Sequence, residues 1–557
     1  MEKSYVIGLD YGSDSVRATL VDALTGEQAA EAVHAYTRWA KGLYCDAASS
    51  RFRQHPLDYL EGLEVVIAGV LDKRRDLAPY VRAIAVDTTA STPCLADEHL
   101  MPLALQEKYK DNPDAMFVLW KDHTGEQEAE EINRACKQSD VDYSKFTGYN
   151  YSPECFWAKV LHLLRQSDEL RRDAYTVVEE CDWIPALLTG NTDPARHKMG
   201  HCCVGQKMFW SEEWGGFPPR GFFERIDARL LPILDTLHPA KYTCDHAYGT
   251  LSKQWAERFG LSEEVKIGVG NVDSHQGAIG AGVAYKTAVL TLGTSAGCMA
   301  VMPPQELGGR IIDGVFGQVD SCILPGMIGF EVGLSAFGDV YAWLKRTLLY
   351  PVQTILSNST LVAPEVRKAL AEEIEERILL QLTADAEALP LRDDAPFATD
   401  WLNGRRSPDT NVKLWGSLMG LRLSTSAPEL YYALVEATAF AFRAIIDHLI
   451  KNGLQIENLI GAGGIAQKSP FVMQMLADVT GKSIEVSSCK QAAAHGSAIC
   501  ASVVAGIYPT IEAAQRALCR PILRTYTPNA SRKAHFDKRY ARYRAAGVFT
   551  ERLTENE

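Results

Sequence analysis

The chain has 557 residues, a net charge of -13 at pH 7, 46% hydrophobic and 23% charged residues. That is ordinary globular composition, long enough for roughly two to four domains, and the dispersed acidity argues against nucleic acid or an anionic membrane as the main partner. The thirteen cysteines form no regular framework, and no signal peptide or apolar run of about 20 residues stands out, so the expected location is the cytoplasm.

Tyr5 to Leu9 is an apolar run that enters a tight turn at Asp10 to Ser15, and Val16 to Val21 continues as a second β-rich run. Together they predict a hairpin with a small, polar tip. Leu57 to Leu71 has helical periodicity, and Val81 to Val86 reads as a buried strand ending at Asp87-Thr88-Thr89. Strands alternating with helices predict an α/β domain. The pattern restarts later. Val265 to Gly270 is strand-like, and Ala288 to Leu292 leads through Gly293-Thr294-Ser295-Ala296-Gly297 into the apolar Cys298 to Met302. A hairpin with a small-residue tip thus occurs once per half, which predicts two related domains, residues 1–265 and 266–510, followed by a helical tail over 511–557 that packs on the body.

Glu429 to Ile450 is a long amphipathic helix, and residues 365–395 read as a surface helix. Gln455 to Ile460 is a strand that runs into Gly461-Ala462-Gly463-Gly464. Ser469 to Thr480 is a helix with Ser469 as N-cap and Pro470 at its first position. In the tail, Phe536, Tyr540 and Tyr543 form an apolar stripe among basic residues, the pattern of a packed surface helix.

Three small-residue loops follow strands: Asp10 to Ser15, Gly293 to Gly297 and Gly461 to Gly464. Glycine allows close backbone approach and Ser or Thr adds a hydroxyl donor, which is what a phosphate group requires. A Walker loop is excluded, because Gly481-Lys482-Ser483 has Leu476 where the first glycine belongs. Gly461 to Ala466 fits the glycine spacing of a dinucleotide site, with Glu485 after the next strand. That rival, a nicotinamide-dependent oxidoreductase, leaves the other two loops and Asp273 unused. Asp273 stands in Gly270-Asn271-Val272-Asp273-Ser274-His275-Gln276-Gly277, between a strand and a helix start, where a carboxylate alone reads as an N-cap. His197, His201, Cys202 and Cys203 are close in sequence but match no zinc-finger spacing.

The combination of Gly8-Leu9-Asp10-Tyr11-Gly12-Ser13-Asp14-Ser15-Val16-Arg17, Asp273 in its glycine-flanked segment, Leu292-Gly293-Thr294-Ser295 and Gly461-Ala462-Gly463-Gly464-Ile465 resembles the FGGY carbohydrate kinases. The resemblance runs from about residue 5 to about residue 545. It implies an α/β fold of two actin-like, ribonuclease-H-like domains with the active site in the cleft between them, and ATP and Mg²⁺ as cofactors. Asp87 to Pro93, Met116 to His123, Trp214 to Gly216, Gly333 to Asp339 and Trp401 to Arg406 are similar to the branch of that family whose acceptor is L-ribulose.

By this resemblance Asp273 is the general base, and Asp10 helps hold Mg²⁺. Gly12, Ser13, Gly293 and Thr294 face the β- and γ-phosphates, with Ser15, Arg17 and Ser295 beside them. Gly463, Gly464 and Gln467 lie against the adenosine. Ala90, Trp120, Asp122, Lys207 and Glu331 surround the sugar. Asp14 replaces the Thr of many sugar kinases, as it does in the L-ribulose branch. Phosphoryl transfer depends on positioning and charge stabilisation, and a carboxylate that takes the acceptor hydroxyl's proton suits it. A homodimer without nucleic-acid or membrane partners is the expected assembly. Other ketopentoses or pentitols are the alternative acceptors. An actin-like or chaperone-type ATPase would need a filament surface or a peptide-binding domain, for which no segment is spare, and a non-catalytic sugar sensor would not need the base.

Overall fold

The computed structural model describes residues 3–554. It divides into two compact units. The first comprises residues up to Tyr285, Met299–Glu331 and Cys489–Pro521; the second comprises Lys286–Cys298, Val332–Ser488 and the chain from Ile522. The expected break at 265 is therefore displaced to 285. The reason is the sheet. Lys266–Gly268 and Asn271–Val272 both pair in parallel with Val81–Thr88, so the segment that carries Asp273 belongs to the first unit.

The first sheet has seven strands, in the spatial order Ala247–Thr250, Lys266–Gly268, Val81–Thr88, Tyr5–Tyr11, Ser15–Asp22, Gln28–Ala35, with Asn271–Val272 also on Val81–Thr88. Tyr5–Tyr11 is buried along its whole length, which explains why it reads as an unbroken apolar run. It pairs antiparallel with Ser15–Asp22 across the predicted hairpin and parallel with Val81–Thr88. The helix Pro56–Lys73 lies where periodicity places it and buries Tyr59, Leu63, Val66 and Val70.

Helix Ala492–Val504 returns to this unit although it lies far along the chain. Its backbone comes so close that a Cβ on Gly8 would stand 1.8 Å from the Ala494 carbonyl oxygen, and one on Gly280 would stand 2.0 Å from that of Ala492. Only glycine permits such approach. Of the expected tail, Ile511–Leu518 accordingly belongs to the first unit, and Ile522–Tyr526 and Lys533–Thr554 to the second.

The second sheet runs Gly317–Asp320, Ile328–Leu334, Ala296–Met302, Thr287–Leu292, Asn458–Ala462, Ile484–Ser487, Ile522–Tyr526. In both sheets a first strand turns back into a second, a third adds outside that, and parallel crossover strands extend the other edge. The predicted repetition of one architecture is thus present in the strand order. The strand expected from Gln455 begins only at Asn458. The long helix spans Ala427–Lys451, opened by a capping box between Ser426 and Glu429, and Pro364–Glu387 is the mostly exposed surface helix. Ser469 precedes Pro470–Thr480 but makes no side-chain capping bond. In the tail helix Lys533–Thr554, Phe536 and Tyr543 are buried, and Arg539, 1% exposed, forms a bidentate ion pair with the equally buried Glu436 at 2.5 and 2.6 Å.

Candidate active site

Three carboxylates gather at the strand ends of the first unit. Asp10 faces Asp87 in parallel register, and Asp87 faces Asn271, two residues before Asp273. Asp10 also lies opposite Arg17 across the hairpin and accepts its Nη1 at 3.1 Å. Burial pushes the Asp10 carboxyl above the usual carboxylate range, opposed by Arg17 and by a hydrogen bond with Asp87. Asp87 is fully buried, accepts Ser497 Oγ at 2.6 Å and rises further, through burial and the adjacent charge of Asp10. Sequence reasoning noted Asp87 as a strand end and as the start of a stretch similar to the L-ribulose branch but gave it no role; its register with Asp10 comes from pairing between distant segments.

Asp273 begins the helix Asp273–Ala281, and its Oδ1 accepts the Ser274 N–H at 2.6 Å. It is not the N-cap, a position held by Val272, and the helix has no side-chain capping bond. The carboxyl is pushed up to about 7, first by burial and then by the negative charge of Asp10, with Glu331 adding to the rise and Lys207 opposing it. A base with that proton affinity can accept a proton near neutral pH.

Lys207 is 5% exposed and lies on the helix His201–Lys207. Its ammonium sits 4.3 Å from the centre of the Phe316 ring. Burial works against its charge, but Glu331, the Cys155 thiol and Glu154 outweigh that and hold it above the ordinary lysine value. Glu331 Oε2 lies 3.3 Å from His275 Nε2, and the same imidazole meets Cys202 Sγ at 2.9 Å through Nδ1. The clustered His and Cys side chains face separate partners: His201 Nε2 meets the Asp320 carbonyl at 2.8 Å, Cys203 the Glu179 carboxylate and His197 the Tyr248 hydroxyl. All thirteen cysteines are free thiols.

The Trp120 indole donates to Ser13 Oγ at 2.9 Å, joining one predicted sugar residue to the first phosphate loop. Gln54 Nε2 donates to the Ser13 carbonyl at 2.6 Å and is itself held by Tyr59. The Gly12 amide closes its own turn onto Ser15 O at 3.0 Å, so the tip amides that make no backbone bond are those of Ser13 and Asp14. Asp14 is exposed and accepts Ser15 Oγ.

Asp122 departs from its expected place. It is 0% exposed; Arg53 Nη1 and the Phe52 N–H donate to one oxygen, and the Thr124 N–H and Oγ1 donate to the other. With both oxygens occupied by protein donors, this carboxylate neutralises a buried arginine and has no face left for a sugar. Ala90 is partly buried at the end of Val81–Thr88.

The second unit carries the other predicted residues. The Gly293 amide closes onto Ser295 O at 3.0 Å, as Gly12 does in the first loop, leaving the Thr294 and Ser295 amides without backbone partners. Phe337 and Asp339 N–H donate to the Thr294 carbonyl and Gly338 N–H to that of Gly293, which fixes the turn on the start of Gly338–Leu348. Gly463 has φ +95°, and a Cβ there would stand 2.7 Å from the Leu292 carbonyl oxygen. A Cβ on Gly464 would meet nothing within 4 Å. Gln467 Nε2 donates to Ser487 O at 3.2 Å. The glycine turn opens only a five-residue helix, Gly464–Lys468, unlike the long helix of a dinucleotide fold.

Residues 288–505 match the C-terminal domain of the FGGY family of carbohydrate kinases. A ribulokinase from Vibrio parahaemolyticus is 42% identical over 555 residues, covering 99% of this chain and 97% of that protein. The chain belongs to the FGGY carbohydrate kinases. Another ribulokinase in the family, from Halalkalibacterium halodurans, is 32% identical over 98% of this chain and 94% of its own. Among solved structures, xylulose kinase from Rhodospirillum rubrum superposes with a TM-score of 0.79 at 18% identity, over 99% of this chain and 100% of that one. A ligand-bound xylulose kinase from Lactobacillus acidophilus gives 0.76 at 16% identity, over 99% of this chain and 100% of its own. The fold of this family member is the two-domain, actin-like α/β architecture that the sequence resemblance implies.

Proposed function

We propose that this kinase transfers the terminal phosphoryl group of ATP to the 5-hydroxyl of L-ribulose, giving L-ribulose 5-phosphate in arabinose catabolism. The observation that carries the reading is Asp273, a carboxyl raised to about 7 whose surroundings include Asp10, Glu331 and Lys207. Full-length similarity to ribulokinases supports the choice of sugar.

Asp273 takes the proton from the sugar hydroxyl as the oxygen attacks the γ-phosphorus. Lys207 donates to, and Glu331 accepts from, other sugar hydroxyls, and polar groups of this kind discriminate against analogues that leave them unpaired. The Trp120–Ser13 bond ties sugar contacts to the phosphate loop. In the first unit the Ser13 and Asp14 amides, and in the second unit the Thr294 and Ser295 amides, are donors of the kind that phosphate oxygens take. Gly463 and Gly464 leave room for the nucleoside.

Among the described residues no group of three or more His, Cys, Asp or Glu side chains forms a metal cage. Magnesium does not need one, because it keeps waters and takes one or two carboxylates with the substrate phosphates. The hard oxygen of Asp10, steadied by Arg17, fits that requirement. When bound there, the ion would neutralise charge on the phosphates.

No helix among the described residues is long and apolar enough to cross a membrane. A cytoplasmic homodimer is the proposed state, and light scattering checks its mass. The function is tested by coupled ADP release against L-ribulose, D-ribulose, the xyluloses, ribitol and glycerol. L-ribulose is expected to give the highest kcat/KM; a higher value for any other acceptor reassigns the substrate.

A further inference from the structure

Lys159 is 1% exposed on the helix Phe156–Gln166, and among the described residues its ammonium has no carboxylate within ion-pair distance. Its ammonium instead donates to three carbonyl oxygens: Ser91 at 2.5 Å, Leu119 at 2.9 Å and Val118 at 3.4 Å. Ser91 directly follows Ala90, and Leu119 directly precedes Trp120. On the far side of the Ala90 loop, the fully buried Glu179 accepts Ser91 Oγ at 2.5 Å and the Thr92 N–H at 2.7 Å. A buried ammonium is costly and needs its donors satisfied. One placed on the carbonyls of two separate segments fixes their spacing as well.

We propose that Lys159 is a positioning residue for the sugar, fastening the loop that carries Ala90 to the segment that carries Trp120. The inference rests on the reading of Ala90 and Trp120 as sugar contacts. Binding geometry is sensitive at this scale, since a misplacement of about 1 Å can cost on the order of 10²-fold in rate. The ammonium is also poised to respond to pH. Burial lowers it to about 8, against the charges of Asp122, Glu179 and Glu154 and the thiol of Cys155. Arg53 faces the same cluster through Asp122. Loss of the proton above that value weakens charge-assisted bonds to both segments.

The test is steady-state kinetics of Lys159→Met with L-ribulose and ATP varied separately. The expected result is a KM for L-ribulose raised at least about tenfold, with KM for ATP within about twofold of wild type. Trp120→Ala serves as the control for the underlying reading. An unchanged L-ribulose KM in folded Lys159→Met, beside a raised one in Trp120→Ala, overturns the clamp alone. Unchanged values in both overturn the sugar assignment and the clamp with it. Should Lys159→Met not fold, the wild-type profile decides. KM for L-ribulose should climb between pH 7.5 and 9.5 around a midpoint of about 8, with KM for ATP flat, and Glu179→Gln should move that midpoint to lower pH by removing a charge that stabilises the ammonium. A flat L-ribulose KM over that range overturns the proposal.

Discussion

Replacing Asp273 with Asn removes the base and little else. The amide oxygen can still accept the Ser274 N–H, so the helix start is retained. A general base contributes about 10²–10⁴-fold, or roughly 3–5 kcal/mol of barrier, and kcat should fall by that factor with KM for ATP little changed. Stability should move the other way. The folded carboxyl titrates at about 7 instead of 3.8, a difference worth at most about 4 kcal/mol at 1.36 kcal/mol per pH unit, and solvent screening at this partly exposed position cuts it to about 1–2 kcal/mol. Because the folded value is raised, the native state binds more protons than the unfolded chain between about pH 4 and 7, and stability falls as pH rises through that window. At pH 8 the Asn variant should therefore melt at or above the wild-type temperature while being nearly inactive. The acid limb of wild-type kcat, with a midpoint near 7, should vanish from its residual activity. Coupled ADP release and calorimetry read both effects. Wild-type turnover in the purified variant would refute the base assignment; lost turnover with a lowered melting temperature at pH 8 would refute the electrostatic argument.

Trp120→Phe removes the indole bond to Ser13 Oγ and should cost about 1 kcal/mol, seen as a roughly fivefold rise in KM for L-ribulose. Gly463→Ala forces φ +95° on a residue whose Cβ would meet the Leu292 carbonyl; calorimetry should record a loss of about 1–3 kcal/mol, and KM for ATP should rise more than KM for the sugar. Arg539→Leu leaves Glu436 buried and unpaired, which should cost about 3–5 kcal/mol and lower the melting temperature of the second unit by several degrees. EDTA should abolish ADP release and excess Mg²⁺ should restore it, with circular dichroism unchanged throughout.

The hairpins were legible in the sequence because each is a local event: an apolar run, a small-residue tip and a second run within about twenty residues. The same holds for Pro56–Lys73 and Ala427–Lys451, whose faces repeat at helical spacing. What was not legible depends on pairing between distant segments. Asp87 acquires its meaning only from standing beside Asp10 in parallel register. Ala492–Val504 looks like any small-residue helix until Gly8 and Gly280 are found against its backbone. The break near 265 failed because local signals mark where a strand starts but not which sheet it joins. Asp122 carried the resemblance of its segment, yet its carboxylate is consumed by Arg53, 69 residues away in sequence. Lys159 lies among apolar residues in a helix that also holds His162 and Arg165; a charge on a buried face requires a partner, and the sequence does not say which.

The most direct measurement of phosphoryl transfer to a sugar is the identity of the product. Purified chain, ATP, Mg²⁺ and L-ribulose should give, by phosphorus NMR, one phosphate monoester coupled to the C5 protons in amounts equal to the ADP formed, with negligible inorganic phosphate. ADP formed in step with inorganic phosphate, and no sugar ester, would contradict the account.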